Sequence, residues 1–271
     1  MSIHKNNNVS LNINSFIKMK NNKEKITCLT AYDYTSAKII DTAGIDLILI
    51  GDSLGMVING YNSTIPVTVD EIIYHTKSVK KAVTRAFIVA DMPFGSYQID
   101  LNSALENAIK IIKETEVAAV KIEGGKEVAS LVEKLVSAGI GVMGHIGLKP
   151  QSINTMGGYK IFGKNGAESL IEDAIALEKA GAFAIVLEGI SKDSARIVTS
   201  KIDIPTIGIG AGNGCDGQIL VFHDIFGMYN NFTPKFVKKY ANVAEIINNA
   251  TKTYINEVKS GVFPDDNYSF K

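Results

Sequence analysis

The chain has 271 residues with 28 basic and 28 acidic side chains, so its formal net charge is zero. Hydrophobic residues at 46% and charged residues at 21% are ordinary for a soluble globular chain and exclude wholesale disorder. The charge balance also excludes a nucleic-acid binder held by a basic surplus. Only two of the basic residues are arginines, Arg85 and Arg196, so a site that grips an anion must use lysine, backbone amides or a metal.

Cys28 and Cys215 are too few and too far apart for a disulfide scaffold or a cysteine zinc site, which points to a reducing cytoplasm. The asparagine-rich N-terminus has no unbroken apolar core, so no secretory leader is expected. The longest apolar runs, such as 47–50, fall far short of the ~20 residues that span a bilayer. Neither a membrane nor a nucleic-acid partner is expected.

In chain order, residues 1–24 read as a helical arm covering the bottom of a barrel. Strands are expected at 26–30, 47–51, 87–90, 119–122, 141–144, 183–187, 206–209 and 219–222. Most are rich in Val and Ile and nearly continuous in apolar residues, as strands covered on both faces are. A helix over 69–83 sets Ile72, Ile73, His75, Thr76 and Val79 along one side, with Thr68 and Asp70 available as caps. Over 102–114, Leu105, Ala108, Ile109 and Ile112 form one stripe while Lys110 and Lys113 face away. Helices over 127–138 and 166–180 each end in an Ala-Gly pair suited to a C-cap. Between 210 and 219 there is no room for a full helix, and 235–258 predicts a long final one. Eight strand–helix units in this length predict an α/β chain with a (β/α)8 TIM-barrel fold; a doubly wound open sheet is the rival. No composition shift marks a boundary, so 1–271 is expected to be a single barrel domain with a C-terminal helical extension over 234–271.

In such a barrel the chemistry sits at the C-terminal strand ends. Three successive strands deliver Asp52, Asp91 and Glu123 to that rim. Crowded carboxylates repel unless they are protonated or bridged by a cation, and oxygen-only ligands favour a hard ion such as Mg²⁺. A helix-capping role is the competing reading for each. Lys121, two residues before Glu123, points to the same face, where it can neutralise carboxylates or bind an acidic substrate. Glu188 closes an otherwise apolar strand, where partial desolvation raises its proton affinity towards that of a general base; capping the segment near Ser191 is the alternative. His145 alone signals no more than a core histidine. The GxGxxG match at 212–217 precedes a strand rather than a helix, so it fails the context of a dinucleotide site.

Together, Thr30-Ala31-Tyr32-Asp33, Gly51-Asp52-Ser53-Leu54-Gly55-Met56, Pro66-Val67-Thr68-Val69 and Ala90-Asp91-Met92-Pro93-Phe94 resemble the ketopantoate hydroxymethyltransferases. So do Lys121-Ile122-Glu123-Gly124-Gly125, Gly144-His145-Ile146-Gly147-Leu148, Pro150-Gln151-Ser152, Ile207-Gly208-Ile209-Gly210-Ala211-Gly212 and Ser260-Gly261-Val262-Phe263-Pro264. Lys149 stands where that family more usually has threonine. The resemblance implies a (β/α)8 barrel that transfers a hydroxymethyl group from 5,10-methylenetetrahydrofolate to 3-methyl-2-oxobutanoate, giving 2-dehydropantoate for pantothenate synthesis. It implies Mg²⁺ ligated by Asp52 and Asp91 with Glu123 completing the site, and stabilising an enolate. It further implies oxo-acid binding by Asp52, Ser53, Asp91 and Lys121, Glu188 as the proton acceptor, His145 lining the pocket, and a cytoplasmic homodecamer. Two other classes compete: a Mg²⁺-dependent carbon–carbon lyase or phosphoenolpyruvate mutase relative, and a barrel that binds a metabolite without catalysis. The sequence has no cysteine-bearing KKCGH-like loop of the lyases.

Overall fold

The computed structural model describes residues 10–158, 160–229 and 233–271, apart from the side chain of Met156. The chain divides into two compact units, one ending at Val221 and the other spanning Phe222–Lys271.

In the first unit, β1 (Ile26–Thr30), β2 (Leu47–Ile50), β3 (Phe87–Asp91), β4 (Ala119–Lys121), β5 (Gly141–Gly147), β6 (Ala184–Glu188), β7 (Thr206–Ile209) and β8 (Gly217–Leu220) pair in chain order. All neighbours are parallel and β8 closes on β1, so the sheet is a complete barrel. Its helices are α1 (Ile13–Asn21), α2 (Tyr34–Thr42), α3 (Leu54–Val57), α4 (Val69–Ala82), α5 (Leu101–Thr115), α6 (Ala129–Ser137), α7 (Ile153–Met156), α8 (Glu168–Lys179) and α9 (Lys192–Thr199). The second unit carries α10 (Phe222–Ile225) and α11 (Val243–Ser260). The closed parallel barrel, the N-terminal helix and the long C-terminal helix agree with the expected fold class. Among the described residues no helix is long and apolar enough to cross a membrane.

Side chains alternate across each strand, and the interior set includes Ile26 and Cys28, Leu47 and Leu49, Phe87 and Val89, Ala119, Met143, and Ala184 and Val186. The helix α1 seals the N-terminal end of this core. Asn12 and Ser15 cap it reciprocally, and Phe16 is buried with its ring 5.5 Å from Phe87 and 6.2 Å from Phe183. Lys20 fastens the same helix across the barrel floor: its Nζ donates to the carbonyls of Thr199 at 3.2 Å and Ile204 at 2.8 Å and pairs with Asp216 at 3.0 Å.

Several boundaries differ from expectation. Backbone pairing carries β3 through Asp91 and β5 through Gly147, and starts β8 at Gly217 opposite Ile26. The 127–138 helix opens as a 3-10 turn, Lys126–Val128, and becomes α-helical only at Ala129. The buried stripe of α5 is Ala104, Ala108, Ile111 and Thr115, with Ile109 exposed; small residues let the helix sit close, so the larger apolar side chains do not mark the inner face. The final helix begins at Val243 rather than at 235, because the amides of Tyr240 and Val243 bond the carbonyls of Ile225 and Phe226 instead of a helical turn. Thr68 does cap α4 in a capping box with Glu71, and Gly139 and Gly181 follow α6 and α8 at positive φ.

Candidate active site

Extending the interior alternation by one layer gives the site. Two residues beyond the interior Val89, Ala119, Met143 and Val186 stand Asp91, Lys121, His145 and Glu188. The same parity on β2 reaches Gly51, where a side chain would meet Ser53 Oγ at 2.8 Å and Asp91 Oδ2 at 3.6 Å. Glycine there keeps the rim open. Register places Asp91 beside Lys121 and Gly147 beside Glu188. Gly147 has φ 93°, and a Cβ there would collide with the Glu188 carbonyl.

The groups expected at the site do converge. Lys121 Nζ lies 2.5 Å from Asp91 Oδ1 and 3.9 Å from Glu123 Oε1. The other oxygen of Asp91 accepts the Asp52 amide at 3.0 Å, tying β2 to β3. His145 stands between two carboxylates, Nδ1 being 3.7 Å from Glu123 Oε1 and Nε2 3.4 Å from Glu188 Oε2. Ser53 Oγ bonds the Tyr32 hydroxyl at 2.8 Å, and Tyr32 is itself placed by a 2.6 Å contact between its carbonyl and His75 Nδ1. The capping alternatives fail for two residues: Ser191 itself caps α9, so Glu188 does not, and the short helix after Asp52 has no side-chain cap.

Three carboxylates therefore crowd one buried lysine with almost no exposure, Asp91 at 1%, Asp52 at 4% and Glu123 at 5%, while Glu188, beyond His145, is partly exposed. Burial dominates their proton affinities. It pushes Asp52 up to about 7, helped by the neighbouring Asp91 charge and opposed by Lys121 and Gln151. Asp91 and Glu123 are raised by the same burial, in both cases against the pull of Lys121. Glu188 is pushed up to about 8, mainly by desolvation. Burial would lower the Lys121 ammonium, but Asp91, Glu123 and Asp52 outweigh it and hold it charged. His145 is driven well below the usual histidine range by burial and by Lys121, so it is neutral.

This donor set suits a hard divalent ion. Among the described residues no three His, Cys, Asp or Glu side chains converge tightly enough to enclose an ion by themselves. Mg²⁺, however, commonly takes one or two carboxylates and completes its shell with water and substrate oxygens. Asp52 and Asp91 are linked on adjacent strands, and Glu123 Oε1 is buried with no hydrogen-bond partner. An orphaned buried carboxylate oxygen beside excess negative charge is what a cation relieves.

Sequence reasoning gave no role to three residues that complete the site, Tyr32, Tyr97 and Gln151. The amide of Gln151 donates to Asp52 Oδ2 at 2.9 Å, and its backbone N–H donates to Glu123 Oε2 at 3.1 Å. The Tyr97 hydroxyl reaches Gln151 Oε1 at 2.8 Å. Tyr32 and Gln151 lie in motifs that carried the resemblance, which was the available signal; nothing marked Tyr97.

Comparison with known proteins follows the same line. At 11% identity the barrel superposes on the crystal structure of a phosphonopyruvate hydrolase with a TM-score of 0.61, covering 96% of this chain and 91% of that one. A 2,3-dimethylmalate lyase gives 0.59 at 16% identity, covering 94% and 90%. Both likenesses concern the fold alone. At the level of sequence, a protein of Clostridium botulinum named 3-methyl-2-oxobutanoate hydroxymethyltransferase is 58% identical over 261 residues, 96% of this chain and 95% of the relative. A protein of the same name from Clostridium beijerinckii is 54% identical over 259 residues, covering 95% and 94%. The family model described as ketopantoate hydroxymethyltransferase matches residues 10–266, and the chain belongs to that family.

Proposed function

We propose that this chain is a hydroxymethyltransferase that converts 3-methyl-2-oxobutanoate to 2-dehydropantoate for pantothenate synthesis, with 5,10-methylenetetrahydrofolate as the one-carbon donor. The observation that carries the reading is the buried rim itself: Lys121 among Asp52, Asp91 and Glu123, with Glu188 facing them across neutral His145. The names of relatives more than half identical along nearly the whole chain support the substrate.

Asp52 and Asp91 would hold Mg²⁺, with Glu123 completing the site. When bound, the ion draws electrons from the oxo acid and acidifies the hydrogen on the carbon next to its ketone. Lys121 and Ser53 take the substrate carboxylate, and the Tyr32 hydroxyl orients Ser53. Glu188, whose proton affinity is raised to about 8, is basic enough to remove the C3 proton and remains ionised in part near neutrality. The carbon so freed bonds the one-carbon unit as both C–N bonds from that unit to the folate break, the two nitrogens taking the proton carried by Glu188 and one from water. Water supplies the hydroxyl, and 2-dehydropantoate and tetrahydrofolate leave. The assembly proposed is a cytoplasmic homodecamer.

The test is direct. Protein supplied with 3-methyl-2-oxobutanoate, methylenetetrahydrofolate and Mg²⁺ should form 2-dehydropantoate, and removing either the folate or the metal should stop it. Absence of that product from the complete mixture contradicts the reading.

A further inference from the structure

Gln151 is buried on a 3-10 turn, Pro150–Ser152, that follows β5, yet it contacts side chains from β2 and β4. Its orientation is fixed from both ends. Nε2 lies 2.9 Å from Asp52 Oδ2 and 3.0 Å from the Met92 carbonyl, which can only accept, so the amino end must face these groups. On the other side, Oε1 receives the Tyr97 hydroxyl at 2.8 Å and Gln98 Nε2 at 3.2 Å. Gln98 is oriented in turn, because its own Oε1 takes the amides of Gly95 at 2.7 Å and Tyr97 at 3.3 Å. The Tyr97 hydroxyl accepts the Glu123 amide at 3.1 Å and has two acceptors for its own proton, Gln151 Oε1 at 2.8 Å and the Glu123 carbonyl at 3.2 Å. Every amide direction in this chain of contacts is therefore determined.

We infer that Gln151 is a positioning residue that clamps the Asp52 and Glu123 carboxylates at a fixed separation and so presets the seat of the metal and oxo acid. Its side-chain N–H holds one oxygen of Asp52, and its main-chain N–H holds one oxygen of Glu123 while leaving Glu123 Oε1 without a hydrogen bond. A neutral donor does this better than a cation, which would neutralise the carboxylates and compete with the ion. The inference rests on the proposed use of Asp52 and Glu123.

Calorimetry on the full-length protein tests it, with Mg²⁺ alone and with Mg²⁺ plus 3-methyl-2-oxobutanoate, for wild type, Gln151→Met and Gln151→Glu. Methionine keeps the volume without the donor; glutamate keeps the shape and sets an oxygen against Asp52. Loss of a hydrogen bond to a charged group predicts affinity weakened roughly ten- to hundredfold in both variants, with a single cooperative thermal transition whose midpoint falls, because Tyr97 and Gln98 lose their acceptor in the methionine variant. KM for the oxo acid should rise by a similar factor while kcat changes less than about threefold. Wild-type affinity in both variants, or failure of both to fold, overturns the positioning role and leaves the proposed reaction standing. A wild-type protein that binds neither Mg²⁺ nor the oxo acid overturns the two together.

Discussion

At Glu188, burial outweighs the attraction of Lys121 and pushes the carboxyl up to about 8 from an ordinary 4.5. The folded-state value lies above the unfolded one, so the fold favours the protonated acid. That contribution to stability is complete below about pH 4.5 and is lost as the pH climbs through about 8. Glu188→Gln removes this dependence. In metal-free protein the melting temperature of the variant should therefore gain on wild type between about pH 5 and pH 9, by at most a few kcal/mol in stability at roughly 1.4 kcal/mol per pH unit. A gap that stays constant across that range contradicts the raised value. Lys121 works in the opposite sense, as the cation paired with Asp91. Replacing it by methionine leaves buried carboxylates uncompensated. Urea denaturation of metal-free Lys121→Met should show a loss of about 3–5 kcal/mol at neutral pH, shrinking in acid as the carboxylates take up protons. An unfolding midpoint equal to wild type at neutral pH would mean that Asp91 has another counter-charge.

Among the elements, α1 offers a separation of stability from chemistry. Phe16 packs with Phe87 and Phe183 at the barrel floor, while the acidic rim lies at the opposite strand ends. Phe16→Ala should cost about 3–5 kcal/mol in urea denaturation and leave Mg²⁺ affinity at the rim unchanged. Loss of metal affinity in the folded variant would show that the two ends are coupled. The elements also show what a sequence can and cannot carry. Strand ends were readable because an apolar run that stops at Asp91 or Glu188 changes chemistry within one residue. The inner face of α5 shares only Ala108 with the expected stripe and otherwise holds Ala104, Ile111 and Thr115, because a small alanine and a threonine are inconspicuous beside Leu105 and Ile109. The stretch at 235–242 has helix-forming residues, but its Tyr240 amide is drawn to the Ile225 carbonyl of α10. Gln151 and Tyr97 acquire meaning only when the loops after β5 and β3 meet, and no local period announces that meeting.

Over the whole molecule, equal numbers of acidic and basic residues conceal a strongly uneven placement. Most ionic side chains are solvated or paired on the surface, as between Lys77 and Glu114 or Lys126 and Glu172. The rim concentrates three buried carboxylates on one buried lysine, with Glu188 beside them. A parallel barrel makes this possible, because closing the sheet turns every second residue inward and gathers the C-terminal ends of β2, β3, β4, β5 and β6 on one rim. Neighbours in fold at 11% and 16% identity share the barrel alone, so the reaction must be argued from the side chains at the rim. Its central step is removal of a proton from the oxo acid, and that step can be observed without the folate. With 3-methyl-2-oxobutanoate and Mg²⁺ in deuterated water, the wild-type protein should wash out the C3 hydrogen, and Glu188→Gln should slow the exchange by roughly 10²–10⁴-fold. Exchange at the wild-type rate in Glu188→Gln, or no exchange by the wild-type protein, would contradict the account.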